Sequence, residues 1–227
     1  MINYDIIAYF IGSNILLYFL IHIPLDILTF KDKREKYKEG SKDYLPWGNQ
    51  NLIKVITVIA SIYFWIFSTL WPIIHILSWD NFILFFNYEI PIIGEAFQYI
   101  GMIIIGFGTI IACIGRIARR TQAISWGVPK ELTVKLGFRI VRHPLYASYC
   151  YYFLGIPLAM MNYLLLPLIL GIIGYYYTTK YEEKILVEEF GDEYIAYQKK
   201  VGMFIPFIGR YREKKPAKEK NGGSGEI

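Results

Sequence analysis

Arg142, His143, Pro144, Leu145 and Tyr146 stand where a basic loop enters an apolar segment, and Glu182 and Glu183 follow the end of the next one. This set offers a guanidinium, an imidazole, a phenol and two carboxylates at the edges of hydrophobic runs. A charged group at membrane depth is costly and usually marks a site. Pro144 can open a helix, because its missing N–H would be unpaired there in any case. Arg142 and His143 would then lie at the positive helix end, which suits an anionic group such as a carboxylate. A plain juxtamembrane anchor with a proline start is the structural alternative. From Lys180 to Val201, the residues Leu186, Phe190, Tyr194, Tyr197 and Val201 recur at helical spacing and define an apolar stripe. Glu182 lies one turn before Leu186 on that stripe and should face inward. There it needs either a ligand or a buried salt bridge to Arg142 or Arg139. Glu188, Glu189, Lys199 and Lys200 fall on the solvated side, and Gly191-Asp192 is expected to break the helix, with Asp192 capping its continuation.

The elements that must hold these groups read as membrane helices. Of 227 residues 55% are apolar and only 19% charged, whereas soluble domains carry about 25% charged residues. Apolar run lengths predict an all-α membrane protein with spans near Tyr4–Leu28, Leu52–Leu77, Ala96–Gly115, Leu145–Met161 and Tyr163–Thr179. The last two, joined by Asn162, should form a tight helical hairpin. Asp80 to Glu95, with Phe82–Phe86, could be an interfacial turn or an extension of the second span. One domain covers 1–213, with N-terminal spans over 1–95 and a compact core over 96–206. The tail 214–227 is basic, then Gly/Ser-rich, and is expected to be disordered. No cleavable signal peptide is expected, since the first span lacks a basic start.

Charge placement predicts the topology. All 24 Lys and Arg fall in the first and third connections, at Lys54 and after the last span, and none in the second connection or the Asn162 turn. Five alternating spans put every one of them on a single face. By the positive-inside rule that face is cytoplasmic, with the C-terminus on it and the N-terminus outside. Attraction to anionic headgroups accounts for the net charge of +5, and no nucleic-acid partner is needed. Cys113 and Cys150 make neither a disulfide framework nor a zinc site, and no metal is expected. His22 and Asp26 share a helix face and are expected to pair with each other, with ligand contact the lesser reading. His75 reads as structural. Gly108 and Ala112, with Gly101, Gly106 and Gly115 around them, should let helices pack closely.

Taken in order, Arg142-His143-Pro144-x-Tyr146, an apolar hairpin, Glu182-Glu183-x-x-Leu186, Phe190-Gly191-Asp192-Glu193-Tyr194, Tyr197 and Phe204-Ile205-Pro206 resemble the isoprenylcysteine carboxyl methyltransferase and phospholipid methyltransferase superfamily. Those are integral membrane enzymes that use S-adenosyl-L-methionine. The resemblance covers about Gly106 to Pro206. It implies a cofactor site on His143, Pro144, Leu145, Tyr146 and Glu182. It also implies a covering run at Lys130, Glu131, Leu132 and Thr133, and an aromatic contact at Phe138. Arg142 and Lys180 become the expected catalytic cations, with Thr178 and Lys180 at the acceptor.

The chain departs from the pattern in places. Leu136 or Gly137 must serve where the family commonly has a glycine, and Ser148 replaces a second one. Met203 stands where an Arg is common. Thr178 occupies the position of the Arg that holds the substrate carboxylate, and Lys180 could supply that charge only as a point donor. The resemblance implies methyl transfer to an apolar or lipid-tailed acceptor, foremost a prenylcysteine-like carboxylate. The alternatives are a phospholipid amine or a thiol, an NADPH-dependent reductase of sterol-reductase type, and a non-enzymatic membrane scaffold. A carboxylate acceptor needs no base, whereas an amine must first lose a proton, and the sequence offers no clear base for that.

Overall fold

The computed structural model describes residues 2–38, 50–77, 94–119 and 132–206. The described residues fold into helices: α1 (Tyr4–Lys38), α2 (Asn51–Ile76), α3 (Glu95–Arg119), the single turn α4 (Gly137–Ile140), α5 (Pro144–Met160), a 3-10 segment (Tyr163–Ile169), α6 (Leu170–Phe190) and α7 (Asp192–Lys200). Among the described residues, three stretches are long and apolar enough to cross a membrane: Tyr4–Leu28, Asn51–Ile76 and Glu95–Arg119. Their outer faces carry exposed Leu and Ile side chains, such as Leu20 and Ile103, as expected where lipid rather than water is the solvent. Asp80, Phe82–Phe86 and the tail 214–227 lie outside the described residues.

The tightest helix pair is α3 on α5, and a seven-residue glycine repeat makes it possible. A Cβ on Gly101 would collide with the backbone of Ala159. On Gly108 it would come within 2.9 Å of Tyr151 Cβ, and on Gly115 within 2.5 Å of Pro144 Cβ. From the other side, Gly155 would meet the Gly101 carbonyl at 2.9 Å. Small residues thus let two backbones touch where lipid offers no hydrophobic drive to press them together. The expected Gly108–Ala112 pair is part of this surface, and Ala112 is fully buried. Gly106 instead turns toward Phe10 of α1. Along α6, Gly171 and Gly174 do the same against Ala60 and Thr57 of α2 and Phe153 of α5. Phe64, Tyr152 and Phe153 fill the centre, the first two stacked at 5.0 Å.

The second half differs from the expected pair of plain helices. α5 starts at Pro144 as anticipated and stops at Met161, which takes the left-handed conformation (φ 49°). Asn162 then caps the 3-10 segment, its side chain accepting from Leu164 N at 2.9 Å. Pro167, which lacks an N–H, lies within that segment, so α-helix begins only at Leu170. From there α6 runs unbroken to Phe190, joining the expected end of the last span to the amphipathic helix after it. Gly191, with φ 54°, ends α6 and is itself the residue that precedes α7; Asp192 is its first helical residue rather than its cap.

Candidate active site

The α5 N-terminus is held by a segment far along the chain. Arg142 N donates to the Gly202 carbonyl at 2.8 Å and His143 N to that of Met203 at 3.3 Å, beside an isolated parallel bridge between Val141 and Gly202. Before α5, Leu136 takes a left-handed φ of 48°, and a Cβ on Gly137 would come within 2.9 Å of Gly115 N. The two residues thus divide the work of one glycine: Leu136 makes the turn and Gly137 makes the close approach.

The Arg142 guanidinium is 3% exposed and fully engaged with the protein. Nε and Nη2 both donate to Glu183 Oε1 at 2.7 Å, and Nη1 donates to the carbonyls of Gln198 and Val201. One side chain therefore joins α5, α6 and the end of α7. The salt bridge considered for Glu182 belongs to Glu183 instead. α6 presents both neighbouring carboxylates inward, each 6% exposed, on either side of His143. Burial works against the charge on Glu183, but the hydrogen bond and charge of His143 and the Arg142 guanidinium outweigh it and hold the carboxyl below its usual range.

His143 Nε2 lies 3.3 Å from Glu183 Oε1 and 3.3 Å from Tyr194 Oη, and Nδ1 lies 3.7 Å from Glu182 Oε2. Its ring is parallel to that of Tyr146. Burial raises the Tyr194 phenol well above its usual range, so it stays a neutral hydroxyl. Glu182 Oε2, by contrast, is buried with no hydrogen-bond partner.

These groups line a cavity of about 230 Å³. One wall comes from α4 to α7: Phe138, Arg142, His143, Pro144, Leu145, Tyr146, Glu182, Leu186, Tyr194 and Tyr197. The opposite wall carries Tyr18, His22 and Asp26 of α1 and Gly115, Arg116 and Arg119 of α3, with Leu132 and Thr133 beside them. Of the residues singled out from sequence, Arg142, His143, Pro144, Leu145, Tyr146, Glu182, Phe138, Leu132 and Thr133 meet at this cavity. Lys130 and Glu131 lie outside the described residues. Thr178 and Lys180 do not reach it. Thr178 is buried and donates to the Gly174 carbonyl at 2.8 Å, and Lys180 is exposed with Nζ 5.8 Å above the Tyr176 ring.

His22 and Asp26 do not pair with each other. His22 Nδ1 donates to the Tyr18 carbonyl at 2.9 Å, and Asp26 accepts from Arg116 Nη2 at 2.8 Å. The preceding turn already supplies a carbonyl to the imidazole, and a full guanidinium from α3 is the stronger partner for the carboxylate. His75, read as structural, contacts Asp5 at 2.9 Å. Tyr18, Arg116, Arg119, Tyr194 and Tyr197 were not foreseen as cavity residues. The four-residue spacing of Tyr18, His22 and Asp26 puts them on one helix face and was the signal available.

No family model matches the chain. Two proteins do match parts of it. Methanethiol S-methyltransferase of Pseudomonas deceptionensis is 41% identical over 76 residues, covering 32% of this chain and 28% of that protein. Protein-S-isoprenylcysteine O-methyltransferase of Saccharomyces cerevisiae is 38% identical over 69 residues, covering 30% of this chain and 29% of that protein. Both matches support the isoprenylcysteine carboxyl methyltransferase-like superfamily. The matched stretches span under a third of either relative, one named for methylating a sulfur and the other for methylating an oxygen. The described residues are helical apart from one isolated bridge and include three apolar helices of membrane-crossing length, which agrees with that superfamily.

Proposed function

We propose that this chain is an integral membrane methyltransferase that uses S-adenosyl-L-methionine and modifies an apolar or lipid-tailed acceptor. One observation carries the reading: Glu182 Oε2 is buried, has no hydrogen-bond partner and belongs to a residue lining the cavity. A buried polar atom left unpaired costs about 1–3 kcal/mol, more if charged, and a ligand that donates to it removes that cost. The donor set suits the proposed cofactor. A carboxylate can receive an ammonium or ribose hydroxyl, the aromatic faces of Phe138 and Tyr146 can pack against a base, and Leu132 and Leu186 supply apolar cover. When bound, the cofactor supplies an electrophilic methyl group on a sulfonium.

The chain's own residues then have separable tasks. Glu182 receives the donor groups of the ligand. His143, between Glu183, Tyr194 and Glu182, fixes the orientation of that corner. Arg142, expected from sequence to be catalytic, acts as a positioning residue, because its guanidinium already binds Glu183 and two carbonyls. Holding donor and acceptor in line is the main demand of a displacement at methyl carbon. Lys180 and Thr178 lie off the cavity, so neither supports the carboxylate-holding role.

The topology follows the same reading. The cavity collects the middle of α1 (Tyr18 to Asp26), the end of α3, the start of α5 and the second half of α6. It carries Arg116, Arg119 and Arg142, so α5 and the 3-10/α6 segment complete two further crossings with the cavity on the cytoplasmic side. Calorimetry on detergent-solubilised protein should show binding of S-adenosyl-L-methionine or its demethylated product and none of NADPH. Glu182→Gln and His143→Ala should each weaken that binding at least about tenfold, roughly 1.4 kcal/mol. Binding of NADPH alone would point to a reductase, and unchanged affinity in both variants would remove the assignment of the cavity.

A further inference from the structure

Four buried side-chain polar atoms among the described residues have no hydrogen-bond partner, and two of them belong to residues of the same cavity: Glu182 Oε2 on one wall and His22 Nε2 on the other. His22 is 6% exposed. Its ring lies flat on that of Tyr18, 3.7 Å between centroids and 10° from parallel, and Trp65 of α2 packs on Tyr18 from the side at 5.2 Å. The tautomer follows from its other nitrogen. Nδ1 is 2.9 Å from the Tyr18 carbonyl, and a carbonyl can only accept, so Nδ1 carries the hydrogen. The neutral ring therefore has its lone pair on Nε2. Stacking holds the ring, and a backbone hydrogen bond sets which nitrogen is basic; both are second contacts that prepare an imidazole for proton transfer.

Resting on the methyltransferase reading above, we infer that His22 is the base of the acceptor site and that the acceptor is a neutral thiol rather than a carboxylate. A carboxylate arrives already ionised and has no use for an unpartnered imidazole nitrogen. A thiol can cross the lipid phase with its proton attached and must lose it to become a good nucleophile. In the step, the acceptor S–H bond breaks and its proton passes to His22 Nε2. The sulfur lone pair forms the new C–S bond as the sulfonium–methyl bond breaks, and that bond's electron pair leaves on the displaced thioether. The imidazolium then returns its proton to water. Around it stand Tyr18 and Asp26 on α1 and Arg116 and Arg119 on α3. Asp26, one turn along, is paired with Arg116 Nη2 at 2.8 Å.

The test uses the full chain in lipid nanodiscs and the variant His22→Phe, which keeps a ring to stack on Tyr18 but has no basic nitrogen. S-adenosylhomocysteine affinity, read by calorimetry, should be unchanged. Methylation of an alkanethiol at neutral pH should fall at least about 100-fold, while methylation of an arenethiol, already ionised at that pH, should fall less than about threefold. Equal losses for the two thiols, or no loss for the alkanethiol, would overturn the assignment. So would wild-type protein that methylates N-acetyl-S-farnesylcysteine but no thiol. If the wild type binds neither S-adenosyl-L-methionine nor S-adenosylhomocysteine, the underlying reading fails first and this one with it. A second measurement needs no variant. With only three histidines in the chain, ¹⁵N spectra of histidine-labelled protein can resolve His22. Its Nε2 should be unprotonated in the free protein and shift when the alkanethiol is added; a protonated Nε2, or no shift, would overturn the proposal.

Discussion

The two walls of the cavity are built differently. The wall from α5, α6 and α7 is a closed network in which Arg142, Glu183, His143 and Tyr194 satisfy one another and the docked segment around Gly202. Within it only Glu182 Oε2 is left open. The wall from α1 and α3 has the ion pair of Asp26 with Arg116 beside an aromatic stack and His22 Nε2, buried without a hydrogen-bond partner. The first wall repeats an ordered motif in the sequence, and the second repeats none. A fixed, motif-bearing side suits a ligand that never changes, and a loosely specified side suits a partner that differs from one relative to another.

The comparison can be broken most severely at Arg142. Arg142→Ala leaves Glu183 buried without its cation and should cost about 3–5 kcal/mol in stability, read from denaturation in detergent. If the loss is under about 1 kcal/mol, the closed network is not what holds this wall. Next in size is the packing that brings the walls together. Gly108→Leu drives a side chain into Tyr151 and Ser148 and should cost about 1–3 kcal/mol by overpacking, measured as a lower melting temperature.

A smaller effect distinguishes the neighbouring carboxylates by pH. Glu183 is held below the usual carboxyl range, so its contribution is present above the unfolded-chain value of about 4.3 and is lost as pH falls through the folded value. The melting-temperature advantage of wild type over Glu183→Gln should therefore be full at neutral pH and shrink in acid. A constant gap from neutral to acid would show that the charge on Glu183 contributes nothing. The smallest expected change is Lys180→Ala. The residue is exposed and off the cavity, so stability should shift by less than about 0.5 kcal/mol and cofactor affinity should not move; a tenfold change would return it to the site.

How far the sequence was legible follows the same division. His143, Tyr146, Glu182 and Phe138 could be read because their order and spacing repeat a motif, and Pro144 because its chemistry suits a helix start. Glu182 could be turned inward from its place one turn before Leu186. Glu183 could not, since one helix face rarely buries adjacent carboxylates unless a cation on another element meets one of them, and that pairing is not a local property. Tyr18, Arg116 and Arg119 reach the cavity through the glycine-mediated approach of α3 and α5 and the packing of α1 on α3. That arrangement is set by contacts between residues about thirty to a hundred positions apart. The 3-10 segment was hidden for another reason: run length sees only apolarity, and Pro167 changes the backbone without interrupting it. Lys180 is the cation nearest in sequence to Thr178, but two residues along a helix turn about 200° apart, so the two side chains do not share a face.

The short exchange between 141–143 and 202–203 has a consequence for biosynthesis. Its carbonyls lie about sixty residues after the amides they receive, so a nascent chain that has emerged only as far as α6 still lacks the partners for the start of α5. Arg142 at that moment has Glu183 but neither the Gln198 nor the Val201 carbonyl. The start of α5 is therefore complete only once residue 203 has emerged, and a chain stalled before that point would lack these partners.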